Sequence, residues 1–265
     1  MGVLRELVTD TMRGVGLLTR LPVASRWFDG FDGRYDRAAG AFPLVGLVLA
    51  IPVCAVGWLA GAAGLPPVLT GLLSVAMLIV ATGALHDDGL ADTADGLGGR
   101  DRERRLAIMR DSSIGTYGVL TLLVGLGIRA SAVGVLFVAP LAGAAAVVAA
   151  LAMSRAAMVW LWWSTPPARS DGAAAASGRP TRGAVRTAII LASILSGPAL
   201  LMLGPWRVAL AVVLVALVVR GLVRYAVRAL GGHTGDVLGA CVVASEGAVL
   251  LALAVGSTAA DMIGP

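Results

Sequence analysis

The sequence predicts an all-α, polytopic integral membrane bundle of about seven transmembrane helices, preceded by an amphipathic helix at the membrane interface. Three observations carry that prediction. Apolar residues make up 58% of the 265-residue chain and charged residues 14%, against roughly a quarter charged in soluble domains, and mean hydropathy is +0.87. Apolar stretches recur at the length of about 20 residues that a helix needs to cross a bilayer. Finally, the connections between them alternate between arginine-rich and uncharged.

Taken in order, the first element is residues 4–18. Leu4, Leu7, Val8, Met12, Val15 and Leu18 recur at helical spacing with Arg5, Glu6, Asp10 and Arg13 between them, the pattern of a helix lying in the interface. The interspersed charges argue against a cleavable signal peptide, whose apolar core would be unbroken. Leu21-Pro22-Val23 then releases the chain into a polar loop. Spans are expected near 38–60, 67–85, 114–138, 139–163, 186–204, 207–227 and 237–258. The third holds Arg129 near its middle, an expensive placement unless the side chain pairs or faces a cavity. No soluble domain, repeat or low-complexity linker interrupts the series, so 1–265 reads as a single membrane domain, with Ala173 to Gly178 a small flexible patch.

The net charge of +5 comes entirely from arginine, since the chain has no lysine. In an apolar chain this balance reflects the positive-inside bias and anionic ligands or headgroups rather than nucleic acid. Arg5, Arg13, Arg20, Arg26, Arg34 and Arg37 precede the first span, and the 61–66 connection carries no charge. The 86–113 loop holds Arg100, Arg102, Arg104, Arg105 and Arg110, whereas the turn at Pro140 holds none. Arg169, Arg179 and Arg182, then Arg224 and Arg228, continue the alternation. It places the N-terminus and the chemically interesting loops in the cytoplasm, and the expected location is the cell inner membrane. Cys54 and Cys241 sit inside apolar runs without metal-binding spacing and read as packing residues. Trp160, Trp162 and Trp163 near a span end read as an interface belt.

Against this background the segment His86-Asp87-Asp88-Gly89-Leu90-Ala91-Asp92-Thr93-Ala94-Asp95-Gly96 stands out. On a helix Asp88, Asp92 and Asp95 fall at i, i+4 and i+7, so their carboxylates line one face and repel one another unless a cation or protons intervene. Asp92-Thr-Ala-Asp95-Gly96-Leu-Gly-Gly99-Arg100 resembles the first half of the CDP-alcohol phosphotransferase signature, with Gly99 in place of alanine. Hard carboxylate oxygens suit Mg²⁺ or Mn²⁺, glycine admits a diphosphate to the backbone, and arginine pairs with phosphate oxygens. The second acid pair of that signature is missing.

The longer string, His86 to Gly96, then Arg104-Arg105, then Met109-Arg110-Asp111-Ser112-Ser113-Ile114-Gly115-Thr116-Tyr117-Gly118, closely resembles cobalamin synthase, the adenosylcobinamide-GDP ribazoletransferase family. Leu18-Thr-Arg20-Leu-Pro22-Val, Ala41-Phe-Pro43-Leu-Val-Gly46 and Gly231-Gly-His-Thr234-Gly235-Asp236-Val-Leu-Gly239-Ala extend the likeness from near residue 15 to near residue 246. Two departures are visible: a second Asp at position 87 where either acid is usual, and Ser113 where a basic residue often follows the Asp-Ser pair.

The resemblance implies a membrane-bound phosphotransferase of cobalamin assembly, joining adenosylcobinamide-GDP to α-ribazole or its 5′-phosphate and releasing GMP. It implies a divalent metal, Mg²⁺ or Mn²⁺, held by Asp88, Asp92, Asp95 and Asp111, with Asp87 or Asp95 as the base. Arg20, His86, Arg100, Arg104, Arg105, Ser112, Thr234 and Asp236 are the implied substrate contacts, and the acidic segment 86–118 the catalytic one. Structural readings stand beside these. Asp87 and Asp88 are suited to capping a helix, Asp236 to capping the last span, His86 to an interfacial hydrogen bond, and the arginines to anchoring a membrane face. Two rival functions are a CDP-alcohol phosphotransferase of phospholipid synthesis and a cation- or proton-coupled transporter. The first lacks its second acid pair. The second is expected to show internal repeats and acids at mid-bilayer, and the sequence offers neither. Oligomeric state is not legible.

Overall fold

A backbone in lipid must satisfy its polar groups internally, and every element named among residues 2–170 and 173–257, which the computed structural model describes, is helical. The amphipathic α1 (Gly2–Leu18) is followed by α2 (Phe42–Ala62) and α3 (Pro67–Thr82). Then come α4 (Leu85–Gly96), α5 (Arg102–Ile108), α6 (Thr116–Leu136), α7 (Pro140–Ser164) and the single-turn α8 (Ala173–Ala176). Last are α9 (Arg182–Leu195), α10 (Gly197–Leu203), α11 (Pro205–Tyr225), a π-helical turn at Ala226–Leu230, and α12 (Gly235–Ala254).

Among the described residues 6 helical stretches are long and apolar enough to cross a membrane, and 7 if α3 and α4 count as one broken span. The chain is a multi-pass membrane protein, as its hydropathy predicts. The expected 186–204 span consists of α9 and α10 run together, Arg182–Leu203.

The second span departs from expectation. Rather than continuing to 85, α3 stops at Thr82, and Gly83 and Ala84 both take left-handed backbone, φ 62° and 59°. The chain leaves at 92° as α4. The acidic segment, expected within the 86–113 connection with its acids at helical spacing, is a helix turned sharply away from the span before it. Ala84 is the one non-glycine residue with positive φ among those described, a conformation costing about 1–2 kcal/mol in an L-residue.

Helices α7 and α12 form the centre, each with 72% of its apolar window buried, whereas the Pro205–Leu230 span containing α11 has 11% and lies at the periphery. α12 packs on α4, α6, α7 and α11; α7 packs on α2, α9 and α12. Small residues let backbones meet, the usual basis of helix packing in membranes. A Cβ on Gly71 of α3 would sit 1.8 Å from the Ala130 carbonyl oxygen of α6, and one on Gly46 of α2 would sit 2.5 Å from that of Leu151 of α7.

Hydrogen bonds tie five chain segments together in two groups. The Arg20 N–H donates to the Ala81 carbonyl at 2.8 Å, tying the start of the chain to the end of α3. Pro166 and Ala168, just beyond α7, exchange backbone hydrogen bonds of 2.8 Å with His233, just before α12. Arg102 closes the group, donating to the carbonyls of Leu230 and Ala168 at 2.8 Å each. The tryptophans do not all form a belt. Trp160 is exposed, but Trp162 is buried, donates its indole N–H to the Gly178 carbonyl at 3.0 Å and stacks near Phe42.

Candidate active site

Two glycines bring α4 onto the start of α12. A Cβ on Gly89 would lie 2.7 Å from the Asp236 carbonyl oxygen and 2.9 Å from its Cα, and one on Gly239 would lie 3.3 Å from the His86 backbone. Hydrogen in place of a side chain lets the helices cross there, and the crossing sets Asp236 beside the acidic face. Gly89→Ala is accordingly expected to cost about 1–3 kcal/mol as overpacking and to lower turnover by moving Asp236, read as melting temperature and rate on the same preparation.

Asp88 is exposed, and Asp92, Asp95 and Asp236 are partly so. Asp92 lies in the negative field of Asp88, Asp236 and Asp95, the strongest first. The periodicity of the sequence is thus realised, with a fourth carboxylate added from α12.

The other face of α4 points inward. Asp87 is buried and pairs with Arg129 of α6; Arg129 also reaches Glu246 of α12 at 3.4 Å, and Glu246 pairs with Arg155 of α7. Arg129, Arg155 and Glu246 are each no more than 2% exposed. Two guanidinium and two carboxylate groups balance to zero, which is how charge is tolerated inside a membrane bundle. His86 is buried on the same side, its Nε2 without a hydrogen bond. Asp87 and His86, expected at the base and substrate positions, are thus turned into the bundle. Arg155 and Glu246 escape the sequence reading, although charges inside apolar runs are the signal that marks them.

Asp95 is fixed by the start of α6. Its two oxygens accept from the backbone N–H groups of Gly115 at 2.7 Å and Gly118 at 2.8 Å. A carboxylate at a helix N-terminus satisfies orphan donors and favours the helix dipole. A Cβ on either glycine would come within 2.5 Å of that carboxylate, which accounts for glycine at both positions.

Other expected residues are dispersed around this centre. Asp111 is exposed and accepts from the Ser113 N–H at 3.0 Å and hydroxyl at 2.7 Å. These bonds hold its carboxyl below the usual range. Ser112, Arg100 and Arg104 are exposed on the same segment. Arg105 packs over Gly99 with its charge reaching Tyr225. Arg20 lies against Gly83 at the bend. Thr234 caps α12, accepting from the Val237 N–H at 3.3 Å, while Asp236 sits in the first turn under the positive charge of Arg169. The capping role thus belongs to Thr234, not Asp236.

His233, in the connection to α12, hydrogen-bonds through Nδ1 to the Thr165 hydroxyl at 2.9 Å. Burial pushes its pKa down from 6.5 to about 4. The unfolded chain therefore takes up this proton first, so the contribution to stability is full above about pH 6.5 and is lost as pH falls toward 4. The loss amounts to about 2–3 kcal/mol. Melting curves at pH 7 and 4.5 are expected to show a smaller acid shift for His233→Gln than for the parent.

Among the described residues no three His, Cys, Asp or Glu side chains stand ready as a complete metal cage. The donor set still suits a magnesium-type ion, which ordinarily takes one or two carboxylates and completes its shell with water and substrate phosphates. Asp88 and Asp92, one turn apart and without an ion pair among the described residues, suit that requirement.

Comparison with known proteins finds relatives over nearly the whole chain. A family model described as cobalamin-5-phosphate synthase matches residues 10–254. Adenosylcobinamide-GDP ribazoletransferase of Rhizobium meliloti (strain 1021) is 44% identical over 259 residues, 96% of this chain and 99% of the relative. That of Sinorhizobium medicae (strain WSM419) is 46% identical over 256 residues, 95% and 98% of the two chains. The Bradyrhizobium diazoefficiens protein of the same name is 40% identical over 252 residues, 95% of each. No solved structure matches. Since the match runs from within α1 to the last residue of α12, taking in both sides of the acidic crossing, the chain belongs to the cobalamin-5-phosphate synthase family.

Proposed function

We propose that the protein joins adenosylcobinamide-GDP to α-ribazole or its 5′-phosphate, giving adenosylcobalamin or its 5′-phosphate and GMP. The observation that carries this reading is the open acidic face at the crossing of α4 and α12, neighboured by the exposed Arg100 and Arg104. The names of the relatives supply the substrates. The ribose 3′-hydroxyl attacks the phosphorus attached to the aminopropanol arm of cobinamide. A new P–O bond forms as the anhydride bond to GMP breaks. Asp236 accepts the hydroxyl proton, because the other two bases the sequence offered are engaged: Asp87 by Arg129 and Asp95 by Gly115 and Gly118. Arg100, Arg104 and Arg105 pair with diphosphate oxygens. A divalent cation, held by Asp88 and Asp92, would neutralise charge developing on the diphosphate and the departing GMP.

This end of the bundle, with the N-terminus, faces the cytoplasm from the inner membrane in the same reading, since the arginine-rich connections gather there. Against the half signature of CDP-alcohol phosphotransferases, the sequence lacks the second acid pair, and the carboxylate of Asp111 is taken up by Ser113. The test is GMP release by protein in lipid, supplied with adenosylcobinamide-GDP, α-ribazole phosphate and Mg²⁺. Release that depends on ribazole and is abolished by EDTA is expected. Production of CMP from a CDP-alcohol instead would overturn the assignment.

A further inference from the structure

A cavity of about 760 Å³ opens between α7, α9, α10 and α11, away from the acidic face. Its wall is mostly apolar, including Trp160, Leu200 and Val212, with Ser164, Ser193 and Ser196 among them, and Arg220 and Arg224 of α11 line it as well. The two arginines are one turn apart, so their like charges share a face. Neither has an ion-pair or hydrogen-bond partner among the described residues. Its volume falls within the roughly 300–1,000 Å³ of ligand sites. Ser164, at the end of α7, also lines it, so the site reaches the end of the bundle where the chemistry is placed.

Water is poorly held along the apolar part of this wall, since each molecule needs two or more polar partners. Two uncompensated guanidinium groups beside an apolar wall call for an anion with a hydrocarbon tail. We propose that the cavity is a binding site for an anionic phospholipid of the surrounding bilayer. Its phosphate lies between Arg220 and Arg224, and an acyl chain lies between α9 and α11 against Trp160. The lipid fills the side of a peripheral span whose far end, through Ala226–Leu230, leads into the connection before Asp236.

Trp160 supplies the test. Full-length protein is placed in bilayers in which brominated phosphatidylglycerol or brominated phosphatidylcholine is a minor component. The quenching due to Trp160 is the difference between the parent and Trp160→Phe. The site predicts a preference for phosphatidylglycerol of about tenfold, abolished in Arg220→Gln/Arg224→Gln. Equal quenching by the two lipids, or a preference that survives the double variant, overturns the proposal. A second variant, Ala216→Phe, fills the cavity without altering charge. It should reduce Trp160 quenching by both lipids, and unchanged quenching would also overturn the site.

Discussion

Asp92→Asn is expected to leave the fold intact and to lower turnover by about 10²–10³-fold, the usual loss when one element of electrostatic stabilisation is removed. Asn fills the same volume on a partly exposed position, so packing hardly changes. What is lost is one of the two proposed hard oxygen ligands and part of the negative field at the crossing. Two signatures separate this from general damage: the melting temperature stays at the parent value, and the Mg²⁺ concentration for half-maximal GMP release rises. Asp87→Asn should do the opposite, lowering stability because it unbalances Arg129. Unimpaired release by Asp92→Asn would remove the acidic face from the mechanism.

The second large effect concerns stability. Glu246→Leu leaves Arg155 without its carboxylate and Arg129 with Asp87 alone. Breaking a buried pair from one side costs about 3–5 kcal/mol. Removing both partners in Arg155→Leu/Glu246→Leu should cost less than the sum of the single changes, because no charge is then stranded on α7. Thermal unfolding in detergent, followed as the monodisperse fraction left after heating, measures all three variants. Strict additivity would show that the pair does not couple α7 to α12.

Most of the helices were legible because hydropathy in lipid is a one-dimensional signal. The expected 38–60, 114–138 and 139–163 spans correspond to Ala38–Ala62, Thr116–Leu136 and Pro140–Ser164. The break after Thr82 was not legible. Gly83 alone is an ordinary helix stop, whereas the left-handed Ala84 that completes the turn has no sequence signature. At the site, helical periodicity gave Asp88, Asp92 and Asp95 a common face. It could not show that the start of α6 occupies Asp95, since that depends on two backbone N–H groups distant in sequence. Arg129 was marked as needing a partner, but naming Asp87 and Glu246 requires knowing that α4, α6 and α12 meet.

Mechanically, α4 is a beam held at several points. The Gly83–Ala84 turn fixes one end, the start of α6 grips Asp95 near the other, and Arg129 bolts Asp87 from behind, with α12 pressed on Gly89. So many fixed points resist flexing, and carboxylates held in place beforehand leave little reorganisation for the moment of reaction. Adjustment to two large, differently shaped substrates falls instead to the exposed arginine side chains between Leu97 and Gly115.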